Sequence, residues 1–397
     1  MALQIHHLGS DYELDLFSFE KSTNSILASC SNLPIDHEFR LRISMDFDEV
    51  VPNFKNINKS EEEAHIFKNQ HFSQNRIIEL RTTEREGDGK IGYFFSKNSL
   101  FDSDENRFKD DKFLTTAAFR ACVALIKGEV CCKPRIPQFD DLIDHDISQF
   151  YEDFDVILVL SNLFTSSLKS FDFRKQYLSN IRNYGFNYIS NSNQISDENS
   201  SSIIKRRFES LEKNADEIYR LKTKPISLSI QNDSYLTSLM IDLLSINSYH
   251  PLTKFHLLYQ VIEVLIDLVL KKEIEVQVLN KLTEFSSYKL KTKLNEISSE
   301  AKRIDILINN YSTISPEVRD LMVLKIKDFV RIFDIEEDIE ELDLEALIYK
   351  LRNGLVHNYR ATYNDTLSIS NNESDWKKLM DLFEILIVDV ISSYKDK

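Results

Sequence analysis

The segment Arg352-Asn353-Gly354-Leu355-Val356-His357 sets three polar side chains of different chemistry close together. On a helix, Asn353 and His357 are four positions apart and share a face. Arg352 is offset by one position, with a side chain long enough to swing into the same space. These residue types suit RNA cleavage without a metal. The 2′-hydroxyl must lose a proton, the phosphate charge must be stabilised, and the leaving 5′-oxygen must gain a proton. Histidine is the side chain whose unperturbed pKa fits proton transfer near neutrality. Arginine offers a planar fork of donors to a phosphate and its transition state. Asparagine positions the hydroxyl or orients the imidazole. Gly354 costs roughly 1 kcal/mol in a helix interior relative to Ala. It is one of seven glycines in the chain, and its place here points to close approach by another backbone.

The elements that must position this trio read as helices. Asp343 is a candidate cap for a helix that turns Leu344, Leu347, Ile348, Leu351 and Leu355 to one side, away from Arg352, Asn353 and His357. A polar loop from Asn364 to Asn372 follows. The last helix, about Asp375 to Tyr394, carries Trp376, Leu379, Met380, Phe383, Ile387, Val390, Ile391 and Tyr394. Earlier, a helix starting near Pro251 has the stripe Phe255, Leu258, Tyr259, Ile262, Leu265, Ile266 and Val269. Ser315-Pro316-Glu317 reads as a cap, first-turn proline and acid opening a helix through Val330. Tyr235 to Ile246 reads as a helix, and Ile204 to Leu221 as a charged one with a thin apolar stripe. From about Ile203 onward the chain reads as almost entirely helical.

The first part differs. Ile77 to Thr83 and Lys90 to Phe95 flank Gly87-Asp88-Gly89, a hairpin signal. Phe113 to Lys127 reads as a helix that Gly128 terminates. Asp155 to Phe164 is a short apolar run that fits a strand or a buried helix. The polar stretch from Asn187 to Ser202 reads as a linker or long loop. The expected fold class is α+β: a mixed α/β domain over 1–200, a helical connector over 201–239 and an all-α bundle over 240–397.

Composition narrows the function. Apolar residues are 42% and charged residues 28% of 397, with 26 Phe and 16 Tyr, the balance of a globular protein with ample core. The net charge of −15 argues against broad affinity for nucleic acid or acidic membranes, though a small RNA site needs only a few placed cations. The scarce glycines assemble no phosphate-binding loop, so nucleotide motors and dinucleotide enzymes drop out. No secretory leader and no bilayer-length apolar run is seen, and the expected setting is the cytoplasm, without a membrane. Cys30, Cys122, Cys131 and Cys132 lack metal-ligand spacing and read as reduced thiols. No metal or other cofactor is expected. His145-Asp146 with Asp153 and Asp155 lacks a recognised ligand spacing.

Other candidates are weaker. Glu263 sits on the Pro251 helix and is a possible auxiliary that meets the trio across the bundle; its plainer reading is an exposed helical glutamate. His250 and His256 read as surface or cap residues. Lys205-Arg206-Arg207 and Lys289, Lys291, Lys293 are basic clusters able to track an RNA backbone, with a solvated face as the plainer reading. Residues 1–200 hold no catalytic motif.

Leu351-Arg352-Asn353-Gly354-Leu355-Val356-His357-Asn358 resembles the signature of the HEPN superfamily of ribonucleases, in its bacterial anti-phage, abortive-infection type. Phe255-His256-Leu257-Leu258-Tyr259-Gln260-Val261-Ile262-Glu263 is similar to the opening helix of such domains. The resemblance covers about 240–397. It implies a helical bundle that dimerises with two motif helices face to face, and metal-independent endoribonuclease activity leaving a cyclic phosphate. It implies that Arg352 stabilises phosphate, His357 is the general acid/base and Asn353 assists. It implies a composite active site, with Arg and His from each protomer; with one motif per chain this means a homodimer, with Gly354 as a dimer contact, an RNA substrate and a role as a toxin or abortive-infection effector. Placed ahead of an effector domain of that kind, residues 1–200 are expected by analogy to be a sensor or restraint whose trigger is a phage protein, a nucleic acid or a small molecule. The alternative is a non-catalytic HEPN-like interaction module that binds a partner protein.

Overall fold

β-branched and aromatic runs make the strands of the first part, and period-3.6 apolar stripes the helices of the last. The computed structural model describes residues 3–20, 22–23, 25–42, 63–72, 76–83, 89–101, 112–128, 138–139, 145–160, 171–188, 198–213, 218–245, 251–332, 339–358 and 373–396. At 42, 101, 112, 198–201, 242–245, 330–332, 357–358 and 373 it describes the backbone alone. The chain is α+β. It forms two units: one comprises Met1–Phe171, Gly185–Ser192 and Phe208–Lys224, the other Asp172–Tyr184, Asn193–Arg207 and Pro225–Lys397. The units interleave along the chain, where the sequence reading places a break near 200.

The strands of the first unit are β1 (Gln4–His7), β2 (Ser10–Glu13), β3 (Leu16–Glu20), β4 (Ser25–Ser29), β5 (Phe39–Arg42), β6 (Ala64–Lys68) and β7 (Ile77–Thr82). They continue with β8 (Lys90–Ser96), β9 (Gln138–Phe139), β10 (Asp155–Leu160), β11 (Asn187–Tyr188), β12 (Glu212–Lys213) and β13 (Tyr219–Thr223). Two three-stranded sheets have the orders β2-β1-β9 and β3-β4-β5, and a seven-stranded sheet runs β11-β6-β10-β8-β7-β13-β12. In the large sheet only β13 pairs in parallel, with β7; its other pairs are antiparallel. The expected hairpin is β7–β8; Gly87 and Asp88 lie outside the described residues. The ambiguous run at 155 is a central strand, buried at every position of β10. Gly92 opposes it, and a Cβ there would lie 2.2 Å from the Val159 carbonyl oxygen. After the short helix α1 (Lys97–Phe101) comes α2 (Lys112–Ile126), which packs on β8 and β10 and gives way at Gly128, whose φ is +58°.

Asp155 opens β10. Its buried carboxylate accepts the Glu152 N–H at 2.6 Å. Burial pushes this carboxyl up from 3.8 to about 6, against that hydrogen bond and the charges of Lys68 and Lys97. The folded chain therefore binds this proton more tightly than the unfolded one. The contribution to stability is fully present below 3.8 and is lost as pH rises through about 6. Asp155→Asn is expected to remove a loss on the order of 2–3 kcal/mol at neutral pH. Urea denaturation at acid and neutral pH measures it; an unchanged pH slope would exclude Asp155 as the source.

In the second unit the helices are α3 (Phe173–Arg182), α4 (Glu198–Glu209, which ends at the junction with the first unit), α5 (Leu228–Gln231), α6 (Ser234–Ser245) and α7 (Pro251–Gln277). They continue with α8 (Ser287–Ser298), α9 (Glu300–Ile306), α10 (Pro316–Ile332), α11 (Leu344–Asn353) and α12 (Glu373–Ser393). The last helix packs against α3, α7 and α10. Phe383 stacks on Phe255 with centroids 5.5 Å apart, and Trp376 meets Phe329 edge-on at 5.1 Å. All seven residues of the expected α7 stripe are buried.

Two expectations are corrected. The helix expected from Ile204 to Leu221 stops at Glu209, and β12 and β13 follow. The residues Tyr219-Arg-Leu-Lys-Thr alternate, burying Leu221 and Thr223, so sheet pairing with β7 overrides the charged helical pattern. The linker expected from Asn187 to Ser202 contains an edge strand at its start, paired with β6, and the first turns of α4 at its end. The loop expected from Asn364 to Asn372 lies outside the described residues. Among the described residues, no helix is long and apolar enough to cross a membrane.

Candidate active site

The site is built on α11. Asp343 caps it, accepting the Ala346 N–H at 3.1 Å from an extended backbone. Leu344, Leu347, Ile348 and Leu351 are buried beneath it, as is Leu355 just beyond. Arg352 and Asn353 are only half-buried, on the last turn. The helix does not end there. From Gly354 to Asn358 it continues as a π turn. Such turns insert one extra residue and recur at functional sites. The backbone of this turn carries His357, whose side chain lies outside the described residues. Gly354 is buried within its own chain at a helical φ of −59° and ψ of −49°. Val356, two residues on, is 41% exposed.

Two further helices reach the same place. The Tyr259 hydroxyl, from α7, donates to Glu300 Oε1 at 2.8 Å. Glu300 is the first residue of α9, and the same oxygen lies 3.7 Å from Arg352 Nε. Arg352 Nη1 donates to Asn353 Oδ1 at 3.1 Å, and its guanidinium carbon stands 6.0 Å from the centre of the Tyr259 ring. Burial, then the bond to Glu300, push the Tyr259 phenol far above its ordinary value, so it remains a donor. Glu263, the auxiliary candidate, is exposed on α7, and its charge adds to that upward push on Tyr259. Another turn along α7, Asp267 accepts from Arg303 of α9 at 2.7 Å, which pins α9 in place.

Arg352 and Asn353 are thus together, with Glu263 at the edge of the group through Tyr259. Tyr259 and Glu300 escaped the sequence reading. Tyr259 looked like one more member of an apolar stripe, although a buried phenol needs a partner. Glu300 carried no signal beyond a carboxylate opening a helix.

Of the other clusters, Lys289 and Lys291 are exposed on α8, and the rest are placed as follows. Arg206 makes an exposed pair with Glu317, and part-buried Arg207 binds Asp389 at 2.9 Å and Asn183 at 2.7 Å, a tie within the helical unit. Lys293 pairs with Glu296 along α8. His256 is exposed beside Phe255, and His250 lies outside the described residues. Asp146 caps the short turn Ile147–Phe150, and Asp153 pairs with Lys97. Among the described residues no group of three His, Cys, Asp or Glu is placed to hold a metal ion. Cys30 and Cys122 are buried thiols; Cys131 and Cys132 lie outside the described residues. No family model, no curated protein and no solved structure matches the chain.

Proposed function

We propose that this chain is a metal-independent endoribonuclease of HEPN type, cytoplasmic and homodimeric through the motif helix, acting as an effector of anti-phage defence. The observation that carries the reading is the end of α11. There Arg352 and Asn353 stand off the buried stripe where the helix widens into the turn bearing His357. Arg352 supplies charge to a phosphate, His357 moves protons and Asn353 orients them. Val356 gives the turn an exposed apolar residue for a second copy to cover. The first unit is the sensor for a phage-derived or nucleic-acid trigger.

The test is incubation of the full chain with RNA in EDTA. The expected result is cleavage leaving a cyclic phosphate, reduced about 10²–10⁴-fold in His357→Ala. Equal cleavage by the variant, or intact RNA with the wild type, overturns the reading.

One observation favours a second reading, a non-catalytic interaction module. Val276, Leu279, Leu282, Tyr288 and Leu294 are all exposed along 276–294, an unusual density of apolar surface. Under that reading RNA stays intact and a partner protein co-purifies.

A further inference from the structure

Little of α8 is tied into the core. Ser286 caps the helix, accepting the Lys289 N–H at 3.4 Å, and Ile297 alone is buried. Ile297 and half-buried Leu290 mark its inner side. Tyr288, Lys291, Thr292 and Asn295 stand at i, i+3, i+4 and i+7 and form one outer stripe, and all four are exposed. The Tyr288 side is the most open, with that residue 80% exposed. Lys289 flanks the stripe and is exposed as well. An aromatic ring, two cations, a hydroxyl and an amide thus face solvent together.

We propose that this stripe binds single-stranded RNA and leads it to Arg352; the identity of the ligand rests on the ribonuclease reading above. The first ground is charge. Residues 285–295 hold Lys289, Lys291 and Lys293 and no Asp or Glu, in a chain of net charge −15. A helical lysine gains from an acid three or four positions away, as Lys293 does from Glu296 at 3.0 Å. No acid stands three or four positions from Lys289 or Lys291 on either side. Among the described residues neither of these two side chains makes an ion pair. The second ground is the ring. An exposed tyrosine beside cations gives a base a face to stack on while the backbone phosphates are held alongside. The third is place. α8 packs against α7 and α9, and Ser299 joins it to Glu300, which faces Arg352 Nε at 3.7 Å. From Lys291 to the end of α8 at Ser298 is about 10 Å of helix, so a strand held on the stripe is a few nucleotides from Arg352. A lipid surface fits less well. A helix lying on lipid turns aliphatic residues outward, and this stripe has none. The exposed Leu279 and Leu282 lie on the short helical turn before α8.

The experiment follows fluorescence anisotropy of a labelled, short 2′-O-methyl RNA with the full chain, over a series of salt concentrations. That probe lacks the attacking hydroxyl, so binding is read apart from cleavage. Each variant is checked by circular dichroism. Lys289→Ser with Lys291→Ser should weaken binding roughly 10- to 30-fold near 0.1 M salt and make the salt slope shallower by about 1.4. The same charge change at Lys377 and Lys395, exposed on and just after α12, should leave affinity as in the wild type. Tyr288→Ala should weaken binding about 5- to 150-fold with the slope unchanged, and Tyr288→Phe should keep it. The Tyr288→Ala loss should vanish on duplex RNA, whose bases are already stacked. On a cleavable RNA the lysine pair and Tyr288→Ala should lower kcat/KM by similar factors, mostly through KM. If both bind the probe like wild type while wild type cleaves RNA, the stripe is not the RNA contact and the ribonuclease reading stands. If wild type binds the probe through the stripe but cleaves no RNA, the stripe stands and the ribonuclease reading fails. If wild type neither binds nor cleaves, both fall. Two other results also overturn the stripe: co-sedimentation of wild type with phosphatidylserine vesicles without RNA binding, and dissociation of the dimer by Tyr288→Ala with RNA affinity unchanged.

Discussion

Arg352→Ala is expected to lower RNA cleavage about 10³-fold, most of it in kcat. In the proposed site the guanidinium supplies positive charge, and a half-buried cation would act on developing phosphate charge more strongly than one in bulk water. It is also held before substrate arrives, by Glu300 at 3.7 Å and by its own bond to Asn353 at 3.1 Å, so little reorganisation is needed during the reaction. Arg352→Lys should recover only a small part. A lysine cannot keep Asn353 and Glu300 in contact while presenting a planar pair of donors to a phosphate. Single-turnover assays with a labelled oligonucleotide separate the chemical step from binding. A folded Arg352→Ala variant with wild-type single-turnover rate would remove Arg352 from the chemistry.

The largest stability effect is expected at Lys254. Its side chain is 12% exposed and sits between Asp381 at 2.9 Å and Glu384 at 2.8 Å; Arg182 holds the other oxygen of Glu384 at 2.5 Å. Burial alone would push the Glu384 carboxyl up, but the charges of Arg182 and then Lys254 reverse this and hold it at about 2. Lys254→Met leaves two buried carboxylates short of a cation, and breaking a buried network in this way costs about 3–5 kcal/mol. The pH dependence has a definite sign. The contribution of Glu384 is fully present above its ordinary value of 4.5 and is lost as pH falls through about 2. The variant should therefore lose much of the wild type's acid sensitivity over that interval as well as its stability at neutral pH. Urea melts at several pH values check both; a midpoint within error of wild type at neutral pH would show that the network contributes nothing.

Most of the helical unit was readable because one stripe of residues decides each helix. The stripes on α7, α11 and α12 are local patterns, and all are buried as expected. What was not readable depends on partners far away in the chain. Tyr219 to Thr223 becomes a strand only because β7, beginning at Ile77, offers it an edge. The reading of Ile204 to Leu221 as one helix followed charge and a weak stripe, and neither senses that edge. The site divides in the same way. Arg352, Asn353 and His357 are neighbours in sequence and visible as a motif. Tyr259 and Glu300 join them from two other helices, through a hydrogen bond that no spacing encodes. Nor does any spacing rule foretell the π turn at Gly354–Asn358.

The interleaving of the two units has a genetic consequence. Each unit draws on three separate stretches of chain. No single crossover in the gene exchanges one unit for another while leaving both whole. A breakpoint near residue 200 would strip Asp172–Tyr184 from the helical unit and Phe208–Lys224, with β12 and β13, from the sheet unit. A single crossover therefore cannot trade the part that carries Arg352 without cutting into the part read as its sensor.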